Sequence, residues 1–281
     1  MILEKRVYKS SGSYSLPKIF LECLKGYKES FYLAKQLAKR DLRAQYRQSI
    51  LGIFWAFAPV LLSASIWIFL NLTGTVKVSE TKIPYPLFVV IGTTLWSVFV
   101  ECLLMSISSV NANKSIITKI NFHKEALVSL GIIKLFFNLL IKMGLIIALM
   151  LVFQVSLSLS VLWFVPLLVI SMLALMSIGV FLTPLAILYH DITRVIPVIM
   201  QVLMYLTPVV YNSPKEGFMK TFMALNPMTY IITDLRNTLT GYPIEHGGFL
   251  LIFGFCTILF SLLAMVVYRV SMPIITERMS S

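Results

Sequence analysis

RDLRAQYRQSILGIFWAFAP, residues Arg40 to Pro59, changes character halfway along. Its first half is cationic and half-polar; its second half opens an almost wholly apolar run about as long as a membrane is thick. Lys35, Lys39, Arg43 and Arg47 recur every fourth residue, so on a helix they form one slowly drifting basic stripe. Phe31, Ala34, Ala38 and Leu42 recur at three and four on another face. That pattern suits a helix in the headgroup plane, apolar side toward lipid and cations toward phosphate. A solvated basic helix ahead of a membrane anchor is the other reading. Gly52 then breaks the pattern, and no charge follows Ile53 until Lys77. The stretch therefore reads as a surface helix, a bend near Leu51–Gly52 and a descent into the bilayer.

The totals agree with a membrane protein. The 281 residues are 58% hydrophobic and 13% charged, against about 25% charged in a soluble domain. A net charge of +12 raises the question of nucleic acid. However, eleven of the 24 cations precede residue 50, and the apolar runs leave no large soluble domain to hold a duplex. Membrane orientation and anionic lipid explain the charge better. Cys23, Cys102 and Cys256 are scattered singles, which argues against a disulfide framework or a zinc site. The first long apolar run begins near residue 50, so no cleavable signal peptide is expected.

Six spans follow from the hydropathy pattern: Ile50–Leu72, Pro86–Ser108, Ile132–Phe153, Val161–Leu188, Val195–Tyr211 and Gly247–Val270. Six spans put both termini on one side. Seventeen Lys and Arg fall on that side, against Lys77, Lys82, Lys215, Lys220 and Arg236 on the other. The asymmetry places both termini in the cytoplasm. The expected fold is thus an all-α integral membrane protein with six transmembrane helices. Residues 1–27 form a cytoplasmic arm, 28–49 the amphipathic interface helix, 50–270 the membrane domain and 271–281 a cytoplasmic tail.

Two connections carry signals of their own. In Asn212–His246, Ser213-Pro214-Lys215-Glu216 reads as a helix start, with a serine cap and an early proline. Asn226-Pro227 starts a second helix, with Met228, Ile231, Ile232, Leu235 and Leu239 as its apolar stripe and Gly241 at its end. Both are too short to cross a bilayer. They are expected to dip into the outer leaflet as a gate, or to form a surface hairpin without a transport role. Asn111–Glu125 can form a short helix capped by Ser109 or Asn111. Its lysines and exposed Ile116–Ile117 suit a cytoplasmic partner, or it is an ordinary positive-inside loop.

Little in the chain looks catalytic. His123, His190 and His246 are far apart and fit no HExxH pattern, and no Gly-Lys pair exists to build a phosphate loop. Any ATP-driven work therefore falls to another polypeptide. Glu101, Lys134 and Lys142 lie within apolar spans, where charge is costly unless paired or hydrated. Lys134 can snorkel to the interface. Glu101 and Lys142 sit deeper and can pair or line a wet path. Aromatics crowd the first two spans, among them Trp55, Phe57, Trp67 and Phe69. They suit either an interfacial belt or stacking against sugar rings.

These residues resemble a known family. RDLRAQYRQSILGIFWAFAPV (Arg40–Val60) looks like the entry to the first span in permease subunits of type-2 ABC exporters of polysaccharides. NANKSIITKINFHKEAL (Asn111–Leu127) is similar to their inner coupling helix. YHDITRVIPVIMQVLMYLTPVVY (Tyr189–Tyr211) resembles their fifth-span region, and NPMTYIITDLRNTLTG (Asn226–Gly241) their outer re-entrant segment. The likeness covers about residues 30–270 in order; His123 departs from it, where proline is expected after phenylalanine.

The resemblance implies a homodimer that binds two copies of a separate ABC ATPase. That partner would hold ATP and Mg, leaving this chain without a cofactor. It also implies a channel for undecaprenyl-pyrophosphate-linked polysaccharide, O-antigen above all, in the bacterial inner membrane. Carried over, Lys35, Lys39, Arg40, Arg43 and Arg47 would meet the carrier's pyrophosphate, and Leu51 and Gly52 would form the entrance loop. Trp55, Phe57, Trp67 and Phe69 would line the channel. Lys114, Ile116, Ile117, Lys119 and Phe122 would couple to the ATPase, and Pro214, Pro227, Tyr230 and Arg236 would belong to the outer gate. A permease for a drug or lipid shares this topology. A proton-coupled transporter using Glu101, or an intramembrane glycosyltransferase, is a different class.

Overall fold

The computed structural model describes residues 16–47, 50–75, 81–155, 158–213 and 216–280. Among them there are ten α-helices and no strand. Four helices are long and apolar enough to cross a membrane: α3 (Tyr85–Ala112), α5 (Glu125–Val152), α6 (Val161–Leu188) and α10 (Gly247–Ser280). Two shorter helices accompany them, α2 (Ala58–Leu72) and α7 (His190–Tyr205). α3 is the centre of the bundle, packing against α2, α5, α6 and α7, and most of its apolar length is buried.

The first helix differs from expectation in length and in use. α1 runs without a break from Leu16 to Arg47, across the expected boundary between arm and interface helix. Its alanine face packs on protein rather than lipid: Ala34 and Ala38 are buried in a cluster with Leu37, Val110, Leu127 and Tyr268. Alanine permits this because its small side chain lets a second helix come close. α1 packs mainly against α5, and Lys134 of α5 reaches Asp41 of α1 at 3.8 Å. Phe31 and Tyr32 remain exposed.

The first apolar segment is divided. A 3-10 turn over Gly52–Ala56 precedes α2, and Gly52 takes φ +47. The bend read at Leu51–Gly52 is therefore a change of helix type at a left-handed residue, which glycine adopts without a steric penalty. α2 has 15 residues, about 22 Å at 1.5 Å per residue, short of the roughly 30 Å of hydrocarbon.

The last helix is longer than expected. α10 continues through Pro273 to Ser280, where the sequence suggested a polar tail from residue 271. Met272 and Ile275 are buried against the cluster beneath α1, which draws the helix on. The fifth apolar segment is shifted. α7 starts at His190 and stops at Tyr205, six residues before the expected end. The chain then turns through buried Thr207, Val209 and Val210.

Candidate functional site: a basic groove joined to a short loop helix

The exposed face of α1 carries the basic stripe. Gln36, Lys39, Arg40, Arg43, Ala44 and Arg47 line an open groove of about 620 Å³. Helical spacing alone brings these residues together. Lys35 is exposed on the same helix but does not line the groove. Four cations lie side by side on this face, and guanidinium groups match the paired oxygens of phosphate.

Arg40 is the exception among them, because it is already engaged. Its Nε and Nη2 donate to Asp41 Oδ1 at 3.0 and 2.7 Å, and Nη2 also donates to Asn113 Oδ1 at 2.7 Å. Asn113 is the residue before α4 (Lys114–Lys119), the short helix expected in the inner loop. The expected caps, Ser109 and Asn111, do not occupy that position. Asn113 does, with Nδ2 donating to Ser109 O at 2.9 Å. Sequence reading missed Asn113 and Asp41, because each needs a partner from a distant part of the chain.

Along α4 the expected docking pair divides. Ile117 is buried in the cluster below α1, while Ile116 is half-buried. Ile120, just beyond the helix, is 58% exposed and takes the exposed apolar position expected of Ile117. Lys119 is exposed, and Lys114 Nζ lies 3.4 Å from His190 Nε2 at the start of α7. Lys124 sits 4.6 Å over the Phe122 ring, and burial holds its ammonium pKa below the usual lysine value. His123 Nε2 meets Glu29 Oε2 of α1 at 3.2 Å.

Within the spans, Lys142 of α5 and Glu101 of α3 are hydrogen-bonded as an ion pair. Lys142 also donates to Ser97 Oγ at 2.6 Å, and Asn138 Nδ2 to Glu101 at 3.4 Å. The buried ammonium is thereby paired, as its position requires.

The four aromatics proposed as channel liners are dispersed. Trp55 is exposed on the 3-10 turn. Phe57 stands edge-on to Phe54 at 5.2 Å. Trp67 packs on Tyr205 at 6.3 Å. Phe69 is exposed, two residues on and hence on the far side of α2 from Trp67.

The connection between α7 and α10 contains two short helices, α8 (Phe218–Leu225) and α9 (Pro227–Leu239). Pro214 and Lys215 of the expected first start lie outside the described residues. α8 begins later, after Gly217 at φ +94. α9 starts as read: Asn226 Oδ1 accepts from Met228 N at 3.0 Å with Pro227 in the first turn, and Gly241 follows its end at φ +89. Tyr230 packs between His246 and Phe249 at 4.7 and 4.8 Å.

Arg236 is buried. It donates to Pro208 O at 3.0 Å and Val209 O at 2.7 Å, and lies 3.6 Å over the Phe88 ring. Asp234 is fully buried, accepting from the backbone N–H of Glu245 at 2.9 Å and of His246 at 3.1 Å. α9 thus ties the end of α7 to the start of α10. Gly92 permits the closure, since a Cβ there would stand 2.1 Å from Val209 O.

The fold is that of a multi-pass helical membrane protein with a cationic face on its first helix. The family can be stated more closely. Residues 32–240 match the model of the ABC-2 type transporter, and the chain belongs to that family. It is similar to the O-antigen export system permease protein RfbA of Klebsiella pneumoniae, 28% identical over 210 residues covering 73% of this chain and 79% of the relative. A second such protein from Klebsiella pneumoniae is 26% identical over 211 residues, covering 74% and 80%. One of the same name from Myxococcus xanthus is 22% identical over 203 residues, covering 71% and 77%.

Proposed function

We propose that this chain is the membrane subunit of an ATP-driven exporter that moves a lipid-linked polysaccharide, O-antigen by preference, across the bacterial inner membrane. The observation that carries the reading is the exposed row of Lys39, Arg43 and Arg47 on α1, in a chain whose relatives are named as O-antigen export permeases. A diphosphate between lipid and sugar is the anion such a groove suits. α2 and α7 complete six crossings, α2 with the help of the 3-10 turn before it, and both termini lie in the cytoplasm. Two copies of the chain enclose the path, and two copies of a separate ATPase bind ATP and Mg. The ATPase docks at Lys114, Lys119, Ile120 and the neighbouring surface. α8 and α9 form the outer gate, with Tyr230 on its face and Arg236 and Pro227 fixing it.

The contacts of Lys142 with Glu101 and Ser97 account for both intramembrane charges as a structural pair, without calling on a proton relay. Reconstitution with the partner ATPase tests the proposal. ATP turnover that rises on adding undecaprenyl-diphosphate-linked glycan is expected. Transport that persists without any ATPase would overturn it.

A further inference from the structure

The basic helix and the cytoplasmic helix meet at two points. At one end Arg40 Nη2 donates to Asn113 Oδ1 at 2.7 Å, ahead of α4. At the other, Glu29 Oε2 lies 3.2 Å from His123 Nε2, beyond α4. Glu29 and Arg40 are eleven positions apart on α1, roughly 16 Å at 1.5 Å per residue. They bracket the whole 113–123 segment. Between them Ile117 is buried in the same apolar cluster as Ala34, Leu37 and Ala38. Asp41 Oδ1 fixes the Arg40 guanidinium, and Asp41 Oδ2 in turn meets Lys134 of α5. Arg40 also lines the groove, so one side chain borders both the anion site and the cytoplasmic helix.

We propose that α1 grips the cytoplasmic helix at both ends, through Arg40–Asn113 and Glu29–His123, so that the two move as one unit when the ATPase acts. Arg40 and Glu29 are then positioning residues rather than contacts to the transported molecule, and Arg43 and Arg47 carry the anion. The inference rests on the transport reading above. The basic stripe thus has two roles. Arg40, already hydrogen-bonded to a carboxylate and an amide, is positioned to transmit movement, while its exposed neighbours are left to bind.

The test uses the complex with its ATPase in nanodiscs holding undecaprenyl-diphosphate-linked glycan, with transport and ATP turnover measured together. Arg40→Ala and Asn113→Ala should each lower transport per ATP by about tenfold, the scale of one charge-assisted hydrogen bond. For Asn113→Ala, which leaves every groove cation in place, the half-saturating glycan concentration should not move. The double variant should be no worse than either single one, and Asn113→Asp, which keeps an acceptor, should retain transport. In a Cys256→Ser background, Glu29→Cys and His123→Cys joined by a short bifunctional thiol reagent should still transport. Co-purification with the ATPase checks that each variant is folded.

Two results would overturn the proposal. One is Arg40→Ala raising the half-saturating concentration as Arg43→Ala does while Asn113→Ala is silent. The other is loss of transport on cross-linking. A wild-type complex whose turnover ignores the glycan contradicts the transport reading itself, and the proposal with it.

Discussion

Lys142 and Glu101 form an ion pair between α5 and α3, with the ammonium almost wholly buried and the carboxylate one-third exposed (1% and 33%). Removing one partner strands the other. Lys142→Met should therefore destabilise the protein by about 3 kcal/mol, the usual cost of breaking a buried pair. Lys142→Met combined with Glu101→Leu should recover much of that loss. Melting temperatures in detergent check both, and a single variant as stable as wild type would show that the pair contributes nothing.

Gly92 faces Val209 O and Arg236 Nη2, where a Cβ would stand at 2.1 and 2.6 Å. Gly92→Ala should cost about 1–3 kcal/mol, because the backbone of the 206–211 turn must shift. Gly144 has nothing within 4 Å of a Cβ. Gly144→Ala should leave the melting temperature unchanged or slightly raised. Equal effects at the two positions would contradict the close approach.

Much of the fold was legible in the sequence, and the failures share a cause. The four long spans, the start of α9 at Asn226-Pro227 and the bend at Gly52 follow from local hydropathy and backbone chemistry. The contacts of Arg236 do not: expected in the outer gate, it is buried and donates to two carbonyls that lie 27 and 28 residues earlier. Ile117 likewise reads as exposed until α1 and α10 supply the cluster that buries it. The tail beyond Val270 looks polar, yet Met272 and Ile275 find apolar partners at a distance. In the groove, spacing identified the stripe. It could not separate Arg40 from its neighbours, because Asn113 lies 73 positions away.

Glu245 links the segment before α3 to α9, accepting from Lys82 Nζ and Asn237 Nδ2, each at 3.0 Å. The hydrogen bond from Lys82 is the largest influence holding its carboxyl below the ordinary value of 4.5. A depressed carboxyl stabilises the fold above the unfolded-state value and loses that effect as pH falls through the lowered one. Wild type should therefore melt above Glu245→Gln near neutral pH, with the gap closing as pH drops below 4.5. A gap that widens on acidification would contradict this assignment.

Arg43 and Arg47 are exposed cations of the groove. Neutralising both with glutamine should weaken binding of undecaprenyl diphosphate about 30-fold, at about 1 kcal/mol for each cation. The wild-type affinity should fall with added salt, and the variant's should fall less. Titration of the lipid into detergent-solubilised protein at two ionic strengths measures this. Equal affinities for the two proteins would remove the groove from the account.

The central claim is that an ATPase drives this chain to export a lipid-linked glycan. The most direct measurement is purification of the chain from native membranes, followed by an ATPase assay with and without that glycan. Recovery of a complex with an ATP-binding subunit, silent in the isolated chain and accelerated by the glycan, is the predicted result. Recovery of the chain alone, with transport driven by a proton gradient in liposomes, would contradict it.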